Sequence, residues 1–547
     1  MTFIHLIGTM AVMTAPVAPQ TEFASKASAL VEAAFPAKGP GAAMIVTRGG
    51  QTLYAGGRGV SDIDTARPIT PDTSFRLGSI TKQFTAAIIL QLAAESRLSL
   101  DDPLSRFLPG FAQPTAGATV RQLLNHTSGV MDFTKIPGWM LSAPSLRPNS
   151  SAYLVALMRD RRAVSPPGTR WEYNNGGYVL LGAIIEEVTG QPWHQAVTER
   201  IAKPLGLTTL RYAAEEGGPE RARGYSQIDG RVQSSSGVHI SVAHAAGALV
   251  ASAADLARWS QALHGGKVVT PALYREMVAP ARLADGSTER YGFGFRLLSI
   301  RGRPAIVHGG AGRGIDTDAV YIPSDDLFVA VLANSDDPAT DPSDLTRRLA
   351  ALALGEPIPI LTRADVDPAS LEPLFGAYSA DQGPPRRFFG RDGKLYIGRG
   401  DEEMEVLPAG DDRFFLAVAP LDWFRIKRGA ENKHVMEVHR MEAAAPDRAV
   451  RTGPVPPAFS VDAATLRSYA GTYQTEGPKL AVTLREDGRL TIAQDGGRAM
   501  PMRPVSPTEF RIDGQPMRIV FHPDGGRTDR FTLYRGAREL HGQRLAE

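Results

Sequence analysis

Cysteine is absent from all 547 residues. That excludes disulfides, thiol catalysis and thiolate metal sites, and leaves the redox compartment open. No stretch of about 20 consecutive apolar residues occurs, so no transmembrane helix is expected. Charge of one sign is not in excess either. Sixty Lys and Arg against 58 Asp and Glu leave a net charge of +2, which points to neither nucleic acid nor an anionic membrane surface as a partner. His-Glu-x-x-His and a phosphate-binding Gly-Lys loop are also missing, so no metal and no cofactor is implied. What remains is an ordinary globular composition, 43% hydrophobic and 22% charged, in a chain long enough for about two to four domains.

The N-terminus reads two ways. Phe3 to Val12 is apolar and leads into Ala15-Pro16-Val17-Ala18, as in a signal peptide, but no Lys or Arg precedes it. With Met13 as an alternative start the run disappears. Residues 1–20 are therefore a signal-like or mis-assigned segment. The expected location is cytoplasmic, or periplasmic or secreted if residues 1–18 are a cleaved signal.

Beyond it, Thr21 to Phe35 has helical spacing of apolar residues. A hairpin follows, Ala43 to Thr47 and Thr52 to Ala55 about a Gly49-Gly50 turn. Tyr178 to Val188 predicts an amphipathic helix stopped at Gly190, and Ser252-Ala253-Ala254-Asp255 a capping box. From Tyr291 to Asn334 strands dominate: Gly292 to Leu297, Ala305 to His308, Ala319 to Ile322 and Leu327 to Leu332. Strands at both ends with helices between predict one sheet covered by helices over residues 21–350.

A linker is expected at Leu354-Gly355-Glu356-Pro357-Ile358-Pro359. After it helical patterns vanish and a repeat emerges. Leu371-x3-Phe375-Gly376-Ala377-Tyr378 returns as Leu466-x3-Ala470-Gly471-Thr472-Tyr473, and Asp392-Gly393 returns as Asp487-Gly488. Both offsets are 95 (471 − 376 and 487 − 392), and Phe414 and Phe510 fall nearly in step. Two small antiparallel β-barrels are predicted, over 366–450 and 460–547.

The chemistry centres on Arg76-Leu77-Gly78-Ser79-Ile80-Thr81-Lys82. Ser79 opens a helix, beside unpaired N–H groups and the positive end of the helix dipole. Lys82 lies one turn on, within reach of the Ser79 hydroxyl. That combines a nucleophile, a base and oxyanion donors. Ser-x-x-Lys alone is a pattern expected by chance and reads first as an N-cap serine with a solvated lysine. The following segment is apolar almost all round, however, and a lysine entering a buried helix must be paired, depressed in pKa or functional. Two further polar loops stand at element ends. In Tyr173-Asn174-Asn175, Tyr173 can relay the Ser79 proton, with a phenol pKa lowered by the neighbouring ammonium, and Asn175 can orient Lys82 and bind a substrate amide. In His308-Gly309-Gly310-Ala311 the glycines admit a ligand closely, and the Ala311 N–H can join that of Ser79 as an oxyanion hole. Taken alone, the first loop reads as an Asx-rich turn with a half-buried tyrosine and the second as a strand-end histidine in a Gly-rich turn.

Ser-x-x-Lys, Tyr-x-Asn and His-x-Gly in this order resemble the penicillin-recognising serine hydrolases, which include class C β-lactamases, DD-peptidases, esterases and D-aminopeptidases. Leu123 to Gly129, Ala246 to Leu256 and Tyr291 to Gly294 are similar to that superfamily as well. The resemblance implies an α/β (α+β) β-lactamase/transpeptidase-like catalytic domain with an antiparallel sheet. It makes Ser79, Lys82 and Tyr173 catalytic, with Asn175, His308, Gly310 and Ala311 binding a small peptide, amide or ester. A catalytic domain followed by two barrels resembles the bacterial D-aminopeptidases, whose precedent implies a homodimer. In them a loop of the last barrel reaches the active site; the matching loop here, Gln494 to Arg498, is shorter. Members that bind a substrate carboxylate usually carry Lys where this chain has His308, which is mostly neutral at neutral pH. Arg313, if it points inward, restores a cation. Esterase, DD-peptidase or β-lactamase activity, and a penicillin-binding sensor without turnover, are the alternatives.

Overall fold

The computed structural model describes residues 19–214, 221–381, 383–400, 402–456, 459–494, 497–513, 515, 517–524, 527–536 and 538–545. The signal-like segment 1–18, and Asp495 and Gly496 of the last-barrel loop, lie outside the described residues. The chain divides into two compact units, one up to Pro359 together with residues 441–444, the other from Ile360 to Arg440 and from Ala445 onward. Among the described residues no helix is long and apolar enough to cross a membrane.

The first unit begins with helix α1 (Pro19–Ala34) and the hairpin β1 (Ala42–Arg48) and β2 (Gln51–Arg58). Gly49 and Gly50 turn the hairpin with φ of +56° and +76°, values that favour glycine. The Ser79 region follows, as strand β3 (Ser74–Arg76), a 3-10 turn Gly78–Ile80 and helix α2 (Thr81–Ala94). Next come α3 (Asn175–Thr189), β4 (Leu249–Ser252) and α4 (Ala253–His264). The unit closes with β5 (Arg296–Ile300), β6 (Arg303–Gly312), β7 (Ile315–Ile322), β8 (Leu327–Ala333) and α5 (Pro342–Ala353).

These strands form one six-stranded sheet in the order β5-β6-β7-β8-β1-β2, antiparallel throughout. The two ends of the unit thus meet at the β8–β1 pair, where Ala42 faces Ala333 and Arg48 faces Leu327. Strand residues alternate between two cores, as the period of two requires. Ala42, Met44 and Val46 face the helices α1 and α5, while Ala43 and Ile45 face the larger core that holds α2, α3 and α4. With both faces covered, β1 and β8 read as continuous apolar runs.

Two local expectations are corrected. The segment Gly292 to Phe295 is not strand; β5 starts at Arg296. Gly294 has φ +75°, and a Cβ there would lie 2.9 Å from the Lys82 carbonyl carbon, so the chain turns tightly against the start of α2. Ser252 caps α4 by accepting from the Asp255 N–H, but the box is only half made. The Asp255 carboxylate accepts instead from the Thr209 N–H at 2.7 Å and its hydroxyl at 2.6 Å.

The second unit holds two closed eight-stranded antiparallel barrels, from Gly376–Ser379 to Asp447–Gly453 and from Gly471–Thr475 to Arg538–Arg544. Each has its own aromatic core. Phe388, Phe414 and Phe424 pack in the first, and Phe510, Phe521 and Phe531 in the second. The repeat falls on equivalent strands. Phe414 and Phe510 lie in the fifth strand of their barrels, and each Asp-Gly turn precedes the third.

Candidate active site

Helix α2 carries Lys82 into the core because apolar side chains cover most of its surface, and even its Thr81, Gln83 and Thr85 are buried. Phe84, Ile88, Ile89, Leu90 and Leu92 are all fully buried, and so is Lys82. Burial takes the ammonium from its ordinary 10.5 down to about 7, with the Asp132 carboxylate pulling weakly the other way. That drop corresponds to about 5 kcal/mol of desolvation. Two or three buried Ile or Leu side chains, each contributing about 1.5–3 kcal/mol, offset it.

The Lys82 amine has three partners. It donates to Ser79 Oγ at 3.1 Å, to Asn175 Oδ1 at 2.9 Å and to the Ala246 carbonyl at 2.9 Å. The last two can only accept. When Lys82 loses its proton, its two remaining N–H groups stay with Asn175 and Ala246, and the lone pair faces Ser79. Geometry thus directs the base at the serine hydroxyl. Asn175 is held at the first turn of α3, where its N–H donates to Asp132 Oδ2 at 2.9 Å and Asn174 caps the helix.

Ser79 itself sits in the turn after β3, where Gly78 has φ +52°. The tip of β6 presses on this turn. A Cβ on Gly310 would stand 2.0 Å from the Leu77 carbonyl oxygen, and one on Gly78 would stand 3.3 Å from the Ala311 nitrogen. The Thr317 hydroxyl lies 3.0 Å from both the Leu77 and Gly310 carbonyls and ties the two segments together. Only glycine lets the Ala311 backbone come this close to Ser79.

The Tyr173 ring centroid is 4.8 Å from Lys82 Nζ, and a hydrogen bond joins Tyr173 to Ser79. The expected lowering of the phenol does not occur. Burial pushes it up to about 12, outweighing the hydrogen bond and the Arg296 cation. Tyr173 is therefore a protonated phenol, able to donate, while Lys82 is the group poised to accept.

His308 is buried behind Tyr173, ring centroids 6.2 Å apart. Its Nδ1 is 2.6 Å from the Gly309 carbonyl and must donate to it, so its Nε2 accepts from the Tyr291 hydroxyl at 2.9 Å. Burial, then the Lys82 and Arg296 charges, lower it to about 3. His308 is neutral at every physiological pH, and both ring nitrogens are engaged by protein. Arg313 does not stand in for a lysine there, since it is exposed and donates to the Ser236 carbonyl.

The structure therefore brings together Ser79, Lys82, Asn175 and Tyr173 directly, with Gly310 and Ala311 along one wall and His308 behind. Four further groups complete the site. Tyr291 fixes the His308 tautomer. Asp132 holds the Asn175 backbone. His126, also buried, accepts from the Asn174 N–H and packs 4.5 Å from the Tyr173 ring. The exposed Arg296 guanidinium lies 5.8 Å from the same ring. His126 and Tyr291 stood within family-like stretches, but Arg296 had no signal in the sequence. Its place comes from the β5–β6 register, which sets it opposite Val307.

An activated serine, a buried amine near neutrality and a strand tip that can supply an N–H form the constellation for acyl transfer. Comparisons with known proteins agree. A penicillin-binding protein of Bacillus subtilis is 27% identical over 397 residues, spanning 68% of this chain and 87% of its own. The D-aminopeptidase of Brucella melitensis is 27% identical over 422 residues, 75% of this chain and 78% of its own. The structure of D-amino acid amidase from Ochrobactrum anthropi, complexed with L-phenylalanine amide, superposes with a TM-score of 0.53 at 26% identity, over 61% of this chain and 99% of that one. The Beta-lactamase family model matches residues 29–354, and the chain belongs to that family, as a serine hydrolase of the penicillin-recognising superfamily.

Proposed function

We propose that the protein is a D-aminopeptidase or D-amino-acid amidase, releasing an N-terminal D-residue or the amine of a D-amino-acid amide through an acyl-Ser79 intermediate. The observation that carries this reading is the state of His308. An imidazole neutral down to about pH 3, with both nitrogens engaged, offers no cation where carboxylate-binding members place lysine. The substrate group lying there is uncharged or an amine. The D-aminopeptidase and D-amino acid amidase relatives support the same substrate class.

Neutral Lys82 takes the Ser79 proton as Oγ attacks the acyl carbon. The N–H groups of Ser79 and Ala311 hold the oxyanion. Tyr173 protonates the leaving amine, and the phenolate it becomes is stabilised by the Lys82 ammonium. Water then gives a proton to that phenolate and attacks the acyl carbon, while Lys82 returns its proton to Ser79 Oγ. Asn175 keeps the amine aimed and can bind the substrate amide.

A second reading rests on Arg296. Its guanidinium near Tyr173 suits a peptide ending in a carboxylate, as in DD-carboxypeptidase or penicillin-binding activity. One set of assays separates the two. Wild type and Ser79→Ala are given D- and L-alanine p-nitroanilide, p-nitrophenyl acetate and an N-acyl-D-alanyl-D-alanine. Preference for the D-anilide, lost by on the order of 10⁴-fold in Ser79→Ala, supports the proposal. Turnover of the ester alone makes the protein an esterase, and cleavage of the acylated dipeptide alone favours the Arg296 reading.

A further inference from the structure

A polar cavity of about 740 Å³ opens in the first unit, with Arg76 of β3 in its wall. Its walls include Arg67, Arg76, Arg221, Asp62, Ser234 and Ser235. Arg76 belongs to β3, three residues before Ser79, and Arg221 is brought beside it by a parallel bridge from Ser74 to Arg221. The cavity also adjoins the tip of β6. Arg76 Nη2 donates to the carbonyl of Arg313, two residues past Ala311, and a Cβ on Gly224 would come within 3.0 Å of the same nitrogen.

Among the described residues the charges in this cavity do not balance. Its carboxylate, Asp62, is 3.2 Å from Arg223, which also holds Asp64 at 2.7 Å. Arg67 donates to the Ser61 hydroxyl and the Arg221 carbonyl, Arg76 to the Arg313 carbonyl, and Arg221 to the Ala213 carbonyl. Among the described residues none of these three guanidiniums has a carboxylate partner. Cations turned on one another in a partly buried cavity repel, and they persist at lower cost when an anion joins them. Guanidinium forks match a carboxylate or a phosphate.

We infer that this cavity is an extension of the substrate cleft that binds a carboxylate borne by the substrate, through Arg76 and Arg221 with Arg67 in support. The inference rests on Ser79 as the acylated residue but not on the D-aminopeptidase reading. The chain would then prefer substrates whose acyl portion ends in an anion over neutral ones of equal length.

Mono-p-nitrophenyl esters of the dicarboxylic acids from succinate to suberate, each beside its methyl-capped neutral analogue, give the test. For at least one chain length, kcat/KM for the carboxylated ester should exceed that for its neutral partner by about tenfold or more. Arg76→Gln and Arg221→Gln should each bring the ratio of kcat/KM for the charged ester over its neutral partner down to about one. Arg221 is exposed, so its variant keeps the test intact if Arg76→Gln does not fold. Equal kcat/KM for charged and neutral esters at every length, or a preference that survives both substitutions, overturns the inference. Loss of all ester turnover in wild type would instead overturn the Ser79 reading. Melting of Ser79→Ala with inorganic phosphate or with adipate, at matched ionic strength, separates the source of the anion. Stabilisation by adipate that Arg221→Gln abolishes supports the inference, whereas stabilisation by phosphate alone assigns the cavity to a free ion and overturns it.

Discussion

Lys82 and Tyr173 lie side by side, and burial moves both away from charge, one down to about 7 and the other up to about 12. The shifts assign opposite duties, acceptor for Lys82 and donor for Tyr173. They also set the pH dependence. The active form needs neutral Lys82, so kcat/KM for a neutral ester should rise about tenfold per pH unit below pH 7 and level off above it. Tyr173 stays protonated far beyond that, so no falling limb is expected up to about pH 10. A stopped-flow profile from pH 5 to 10 measures this, and a flat profile would remove Lys82 from the role of base.

At the scale of elements, the site is where a strand tip leans on a helix start. Gly310→Ala places a methyl group 2.0 Å from the Leu77 carbonyl oxygen and 2.7 Å from the Thr317 hydroxyl, which must part β6 from the Ser79 turn. A displacement of about 1 Å there costs on the order of 100-fold in rate. The expected result is a loss of that size in kcat, read beside a thermal melt to separate misplacement from unfolding. The other side of the sheet carries a different strain. Asp316 on β7 is pushed up to about 7 by burial and by the Asp341 and Asp318 carboxylates. The folded state therefore holds this proton when the unfolded chain, with an Asp near about 4, has lost it. Its stabilising contribution is complete below about pH 4 and is lost as pH rises through about 7. Asp316→Asn should melt higher than wild type at pH 8, with the difference vanishing near pH 4. An equal difference at both values would show that Asp316 does not titrate so.

For the whole molecule, separate hydrophobic cores serve the catalytic unit and each barrel. At the start of the second unit, ahead of its first barrel strand, residues 360–367 have no regular structure and Arg363 is exposed. Brief trypsin treatment should therefore cut first after Arg363, giving fragments that end at Arg363 and begin at Ala364 by mass spectrometry. First cleavage at any other site would contradict that expectation.

Short-range patterns were sufficient for much of this. Ser79 and Lys82 are one helical turn apart, Gly49-Gly50 dictates its own turn, and alternation with a 95-residue repeat announces two barrels, because each depends on neighbours in the chain. The tertiary structure alone decided what those residues experience. Lys82 meets Asn175 and Ala246 across 93 and 164 residues, and Arg296 reaches Tyr173 only through the register of β5 on β6. The direction of the Tyr173 shift was misread from the sequence because desolvation by distant segments exceeds the pull of one nearby ammonium. His308 was legible as neutral, but its partner Tyr291 was not. Burial and charge pairing are sums over groups remote in sequence, and they exist only once the chain has folded.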